Sequence, residues 1–308
     1  MKGLELCRRY YDQIYRPAIE KVFGDRILKM AFGLVGEGSE CYGFDDEISQ
    51  DHDFGPRVMI WLTPADFGEF GEKLQEAVSK IPKQFLGYEG VNTSQYGEGR
   101  EGVFTIPGFY TRFIGMDHPP ETIREWRLLP EVNLSIVTNG EVFCDPLKEF
   151  TKFRNALLAG YPEDQRLKMM AARCMKMAQS GQYNYDRSIK RSEFVAAQMA
   201  VAEFTDTATS MIYLMNNRYK PFYKWMHKGL KALPVLGEQS YNLLAALATS
   251  GSFEENIRSI ETLCGLIINQ LKDMGLTDSP SDFLLDHGPQ IQQKIQDENL
   301  QMMVPWAD

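Results

Sequence analysis

Two aspartates one residue apart, Asp51 and Asp53, close a run of seventeen residues that holds seven carboxylates and no lysine or arginine. The run opens Glu37-Gly38-Ser39-Glu40, passes through Asp45-Asp46-Glu47, and ends Asp51-His52-Asp53. Carboxylates packed this densely repel one another and lose hydration when partly buried, so they seek a cation. In sequence the flanking cations are Lys29 and Arg57. A hydrated surface loop would tolerate such a run, and so would a hard divalent metal. The apolar Val58-Met59-Ile60-Trp61-Leu62 that follows favours the metal. Side chains two apart on a strand face the same way, roughly 6.5–7 Å apart. Asp51 and Asp53 at a strand entrance would then point together. With a third carboxylate from a neighbouring strand they could grip Mg²⁺ and leave positions for phosphate oxygens and water. Gly38-Ser39 lies upstream. A glycine there lets backbone approach a phosphate, N–H groups at a following helix start favour its charge, and the serine adds a hydroxyl.

Gly-Ser followed at this spacing by Asp-x-Asp resembles the nucleotidyltransferase superfamily related to DNA polymerase beta. Its members move a nucleoside monophosphate from a nucleoside triphosphate to a hydroxyl or similar acceptor. His52 departs from the pattern, since it stands where an apolar residue is usual. More of the chain is similar to a bacterial branch of that superfamily, family 4037 of the domains of unknown function. The segments that carry this likeness are Gly38-Ser39-Glu40, Ser49-Gln50-Asp51-His52-Asp53, Gly108-Phe109-Tyr110, Gly140-Glu141-Val142-Phe143-Cys144-Asp145, Gly160-Tyr161-Pro162 and Arg218-Tyr219-Lys220-Pro221-Phe222-Tyr223-Lys224-Trp225. The resemblance implies a nucleotidyltransferase fold with a helical C-terminal part, in a layout similar to aminoglycoside adenylyltransferases. It implies Asp51 and Asp53 on Mg²⁺, Gly38 and Ser39 against the β- and γ-phosphates, and ATP as the donor. In the similar adenylyltransferases a glutamate on the strand after the loop acts as base. Glu101, in Arg100-Glu101-Gly102-Val103-Phe104, is the first candidate for that third carboxylate. Asp145, following Glu141–Cys144, is the second, as a metal ligand.

Other residues have two readings each. Tyr183, Tyr185 and Arg187 occupy an expected inter-helix turn, where they could stack on a base or bind acceptor; packing in a bundle would use them equally well. Lys224, between Tyr223 and Trp225, could reach a triphosphate across a domain cleft, or could lay its stem along the tryptophan. The methionines of the second half, among them Met169, Met170, Met175, Met177, Met199, Met211, Met215 and Met226, read as core filler. His118, His227 and His287 carry no signal. No Walker-type loop is present. Cys41 breaks both a dinucleotide fingerprint and a Gly-x-Ser-x-Gly elbow.

These residues need elements to position them. The 308 residues suit one large or two ordinary domains. Helical spacing predicts a first helix over Leu4–Val22, with Pro17 as the place for a kink, then a buried strand over Arg57–Leu62. Pro64 opens a helix extending to about Ile81; 87–102 reads as a loop, Val103–Ile106 and Glu141–Cys144 as strands. After about Phe150 helical spacing takes over. The expectation is an α+β chain: residues 1–150 as a mixed sheet with helices, residues 151–308 as a helical bundle, with the acceptor in the cleft between them. A net charge of −9 argues against general binding to nucleic acid or to anionic membranes. The five cysteines are scattered and contain no CxxC pair, which suits free thiols in the cytoplasm. The expected partners are a nucleotide and an acceptor of unknown type, small or macromolecular. Two competing readings are a non-catalytic nucleotide or metal sensor and a toxin-type transferase acting on protein or tRNA.

Overall fold

The computed structural model describes residues 1–50, 54–90 and 99–308. Its chain divides into two compact units: Met1–Pro120 with Val132–Ala159, and Glu121–Glu131 with Gly160–Asp308. The expected boundary near residue 150 falls later because the helix Glu149–Leu158 stays with the sheet. Phe150 stacks on Trp61 at 4.0 Å between ring centres, and Phe153 on Tyr110 at 3.6 Å.

The first unit is built on four short strands, β1 (Ala31–Leu34), β2 (Met59–Leu62), β3 (Gly102–Thr105) and β4 (Glu141–Cys144). They lie in the order β3-β2-β1-β4, with β2 parallel to β3 and β1 antiparallel to both β2 and β4. The sheet is therefore mixed. Every residue of β1 and β2 is buried, so these strands read as apolar runs rather than as an alternation. One face carries Phe32, Leu34, Ile60, Leu62 and Val103 against Leu6, Tyr10, Tyr11, Tyr15 and Leu74. The other carries Trp61, with the Phe109 ring edge-on at 5.4 Å. Gly33 makes room for that indole, since a Cβ there would lie 3.0 Å from the ring and 2.5 Å from the Glu141 carbonyl oxygen.

The parallel strands end alike. Thr63 Oγ1 accepts the Asp66 N–H at 3.2 Å, and Thr105 Oγ1 accepts the Gly108 N–H at 3.0 Å. Each threonine caps a helix whose first turn holds a proline, where no N–H is missed. The first helical segment differs from the single helix expected. It runs Gly3–Tyr10 and Arg16–Phe23, joined by a π turn over Tyr11–Tyr15. Pro17 cannot donate to the preceding turn, and the wider turn just before it absorbs that loss. Strand β2 starts at Met59, so Arg57 and Val58 are buried but outside it.

The second unit is helical, with Glu163–Met177, Phe194–Met215, Tyr223–Leu230, Gly237–Thr249 and Phe253–Asp273 as its longer elements. Met170, Cys174, Phe204, Met211, Ile260 and Ile267 are among its buried residues. Most of the methionines named above are buried too, but Met199 is 69% exposed. The turn expected around residues 180–187 is absent. The chain stays helical as a π segment over Ala178–Tyr185 and then Asp186–Lys190. Gly181 there marks close packing rather than a break, because a Cβ would collide with the Phe204 ring. The break comes later, with Ser192 at φ +58°. Among the described residues no helix is long and apolar enough to cross a membrane.

Candidate functional site

At the C-terminal end of β1 the chain makes a glycine turn that only glycine enters without strain. Gly36 has φ +133° and Gly38 φ +123°. Asn139 clamps the turn: its Nδ2 donates to the Gly36 carbonyl at 2.7 Å, and its Oδ1 accepts the Gly36 N–H at 2.9 Å. The Gly140 N–H donates to the Cys41 carbonyl at 2.8 Å. A side chain at Gly140 would run into the Leu34 carbonyl. Ser39 opens a single 3₁₀ turn, Glu40–Tyr42, rather than a full helix, and its hydroxyl caps none of that turn's N–H groups. Its carbonyl accepts from Tyr42 at 3.2 Å and Phe44 at 2.9 Å. The space that a side chain at Gly38 would need is filled by the Glu40 carboxylate.

The structure separates the acidic run by role. Glu40 is buried and paired with Arg57, itself 2% exposed. Asp45 is buried; its Oδ2 accepts the Gly3 N–H at 2.8 Å, and Lys2 lies 3.8 Å from its Oδ1. Glu37 faces Arg112 at 3.7 Å, and Asp46 accepts from the Ser49 N–H at 3.0 Å. Much of the run is thus held by partners distant in sequence. Asp51, His52 and Asp53 lie outside the described residues.

The two expected third carboxylates lie at opposite ends of the sheet. Glu101 precedes β3, on the same side as the buried Val103 by period two, and pairs with Lys83. Asp145 follows β4, whose Glu141 is the residue opposite Leu34. Asp145 therefore lies at the far end of the sheet from the glycine turn, roughly 13 Å along the strand at its usual rise. Its Oδ2 accepts the Thr151 N–H at 2.7 Å and caps the following helix. The structure does not bring Asp145 to the turn, because β4 runs away from it. Among the described residues no group of three or more His, Cys, Asp or Glu could hold a metal ion.

Beside the turn is a small, open pocket within the first unit, whose 230 Å³ of empty space includes the solvent at its mouth. Leu34 to Glu37 form one wall; among the described residues, Arg57, Met59, Gly99, Arg100, Arg112 and Phe113 also line it. Arg112 Nη1 donates to the Gly99 carbonyl at 2.9 Å, and its guanidinium lies 5.1 Å over the Phe113 ring. Burial lowers the pKa of the Arg57 guanidinium, and the like charge of Arg100 adds to that. Sequence spacing gave no sign of this cluster. Its arginines come from the lead-in to β2, the lead-in to β3 and the helix Ile106–Ile114, which only the sheet order brings together. Chemically, three guanidiniums around a glycine turn can receive an anion.

The remaining expected residues belong to the second unit. Tyr183 is 49% exposed, with Arg187 4.7 Å over its ring. Tyr185 is instead a core residue, and its hydroxyl accepts from Asn256 Nδ2 at 2.9 Å. Lys224 is exposed and lies 4.9 Å over the Trp225 ring, as its packing alternative anticipates. A buried network went unforeseen there. Arg173 Nε donates to Ser210 Oγ at 2.8 Å, Ser210 donates to Glu131 Oε2 at 2.8 Å, and Arg173 also pairs with Glu131 and Asp308.

Residues 126–226 match the model of a family described as a domain of unknown function, DUF4037. The match spans less than half of the chain. A nucleotidyltransferase-like protein from Exiguobacterium sibiricum 255-15 is similar in structure at 10% identity, over 87% of this chain and 82% of that one, with a TM-score of 0.36. That likeness is too distant to carry residues across. No curated protein matches the chain.

Proposed function

We propose that this chain is a cytoplasmic, Mg²⁺-dependent nucleotidyltransferase that moves a nucleoside monophosphate, AMP from ATP, to an acceptor hydroxyl. The observation that carries the reading is the glycine turn at the end of β1, clamped by Asn139, with Asp51-x-Asp53 next in the chain before β2. Glu40 and Asp45 are tied to Arg57 and to the Gly3 N–H. Asp51 and Asp53, two apart in the sequence, would be the hard oxygen donors for Mg²⁺. The ion, when bound, neutralises charge on phosphate oxygens. The turn positions the phosphate chain, Ser39 offers a hydroxyl to it, and Glu101 takes the acceptor's proton after leaving Lys83. The hydroxyl attacks the α-phosphate in line and pyrophosphate departs, so most of the catalysis is positioning and charge. Calorimetric titration with ATP and Mg²⁺, then a pyrophosphate-release screen over acceptors, tests this. Asp53→Asn should abolish release and metal-dependent binding while the fold persists. Unchanged Mg²⁺-dependent binding in that variant sinks the assignment.

A second reading has its own support. Glu101 is paired with Lys83 and Asp145 caps a helix. A chain lacking a third carboxylate would bind nucleotide without transferring it. Binding with no pyrophosphate from any acceptor would favour that reading.

A further inference from the structure

Asp206 and Glu238 bracket thirty-one residues that hold no carboxylate and five cations: Arg218, Lys220, Lys224, Lys228 and Lys231. The chain as a whole carries −9, so the sign reverses locally. Lys220 is paired with Asp206 at 2.6 Å. Lys224, Lys228 and Lys231 fall at i, i+4 and i+7 of the helix Tyr223–Leu230, which Lys231 continues with helical backbone. That spacing puts the three on one face, spread over about 10 Å at the usual rise. All three are exposed. Lys224 and Lys231 meet rings rather than acids: Trp225 at 4.9 Å and Tyr241 at 4.1 Å. Among the described residues neither has a carboxylate partner. An ammonium over a ring keeps N–H donors for an oxygen arriving from solvent.

Aromatic surface borders these lysines. Phe222 is 45% exposed and Tyr223 72%, with the two rings 4.3 Å apart. Tyr223 opens the helix, next to Lys224. A ring this open adds little to the core and presents a face for stacking. The platform is held in place. His227 stacks on Tyr241 at 4.1 Å between ring centres, and its Nε2 donates to the Tyr241 carbonyl at 2.9 Å, which ties the helix to Gly237–Thr249. Lysines in a row suit phosphates, and open rings beside them suit unstacked bases. Single-stranded nucleic acid offers both. A membrane surface offers the anions but needs an apolar helix face to bury, and here Leu230 is buried and Met226 half-buried in the unit. The net charge argues against general binding to nucleic acid, not against one face of this kind.

We infer that the face of Tyr223–Leu230 that carries Lys224 and Lys228, continued by Lys231, binds single-stranded nucleic acid, with the lysines on phosphates and Tyr223 stacked on a base. The face lies within the second unit, and the inference does not rest on the transferase reading.

The test is fluorescence anisotropy of the full chain in EDTA with a labelled RNA strand of about 15 nucleotides and mixed sequence, and with its blunt duplex. The single strand should bind more tightly than the duplex, whose bases stay stacked. Lys224→Gln and Lys231→Gln should each lower the slope of log Kd against log salt by about 0.7. Tyr223→Ala should weaken binding roughly 5- to 100-fold and keep the slope, because stacking is not a charge effect. Tyr223→Phe should restore the affinity. No binding of the single strand at about 50 mM salt overturns the inference. So does binding that all of Lys224→Gln, Lys231→Gln and Tyr223→Ala leave unchanged, or a duplex bound as tightly as the strand with no response to Tyr223→Ala, which is charge alone. Co-sedimentation with vesicles rich in phosphatidylserine, without RNA binding, would assign the face to a membrane and overturn it too. Asp53→Asn should leave RNA binding as it is, so this surface and the transferase reading fail separately.

Discussion

Two buried arginines, one in each unit, are compensated differently. Arg57 is paired with Glu40 beside an open pocket. Arg173 is paired with Glu131 and Asp308, and bonded to Ser210, inside the helical unit. Burial opposes charge at both. At Arg57 burial wins and the pKa falls below the usual arginine value. At Arg173 the two carboxylates outweigh burial and the pKa rises. The first cation sits at the edge of a cavity, and the second is enclosed by two carboxylates and a hydroxyl. A buried charge with several partners marks architecture, and a buried charge at the edge of a cavity marks a place to look for a ligand.

The largest effect should come from breaking the enclosed network. Arg173→Met takes the guanidinium from Glu131 and leaves Asp308 to Lys176, and should cost about 3–5 kcal/mol in urea denaturation. Glu40→Gln removes the carboxylate of Arg57 and should cost less, about 1–3 kcal/mol. Equal losses in the two variants would erase the distinction between them.

A third buried cation adds a pH dependence. Lys168 donates to Gln292 Oε1 at 2.9 Å and to the Val304 carbonyl at 2.8 Å, and burial lowers its pKa from 10.5 to about 8. The unfolded chain keeps that proton up to 10.5, while the folded chain releases it near 8. Folding therefore sheds a proton in that window, and stability rises with pH across it. As pH falls through 8 the gain is lost. Urea melts of wild type against Lys168→Met, between pH 7 and 11, should show the wild-type advantage growing across this window. The smallest effect belongs to the helical surface. Tyr183→Ala should change stability by no more than about 0.5 kcal/mol, because the ring is half exposed.

Much of the fold was legible because its signals are local. Thr63-Pro64 and Asn139-Gly140 declare a helix start and a turn in a few residues. The unbroken apolar run at Met59–Leu62 declares a strand buried on both faces. The candidate site was legible only where its chemistry is contiguous, in Gly38-Ser39 and the acids after it. What sequence could not give is assembly. Glu40 looked like a member of an acidic run and is the partner of Arg57. Asp145 looked like a third ligand and sits at the wrong end of β4, a matter of strand direction. Tyr183, Tyr185 and Arg187 looked like members of a turn and lie in continuous helix, with Gly181 packed against Phe204.

The clamp of Asn139 on Gly36 joins residues 103 apart in the chain. During synthesis β1 emerges long before β4, and until β4 arrives β1 is an open edge, able to pair with a neighbouring chain. The glycine turn takes its final shape only when the ribosome has released the strand that closes that edge. The glycine-turn end of the sheet is thus among the last parts of the first unit to form, and a chain stalled before residue 139 would carry Gly36 without its clamp.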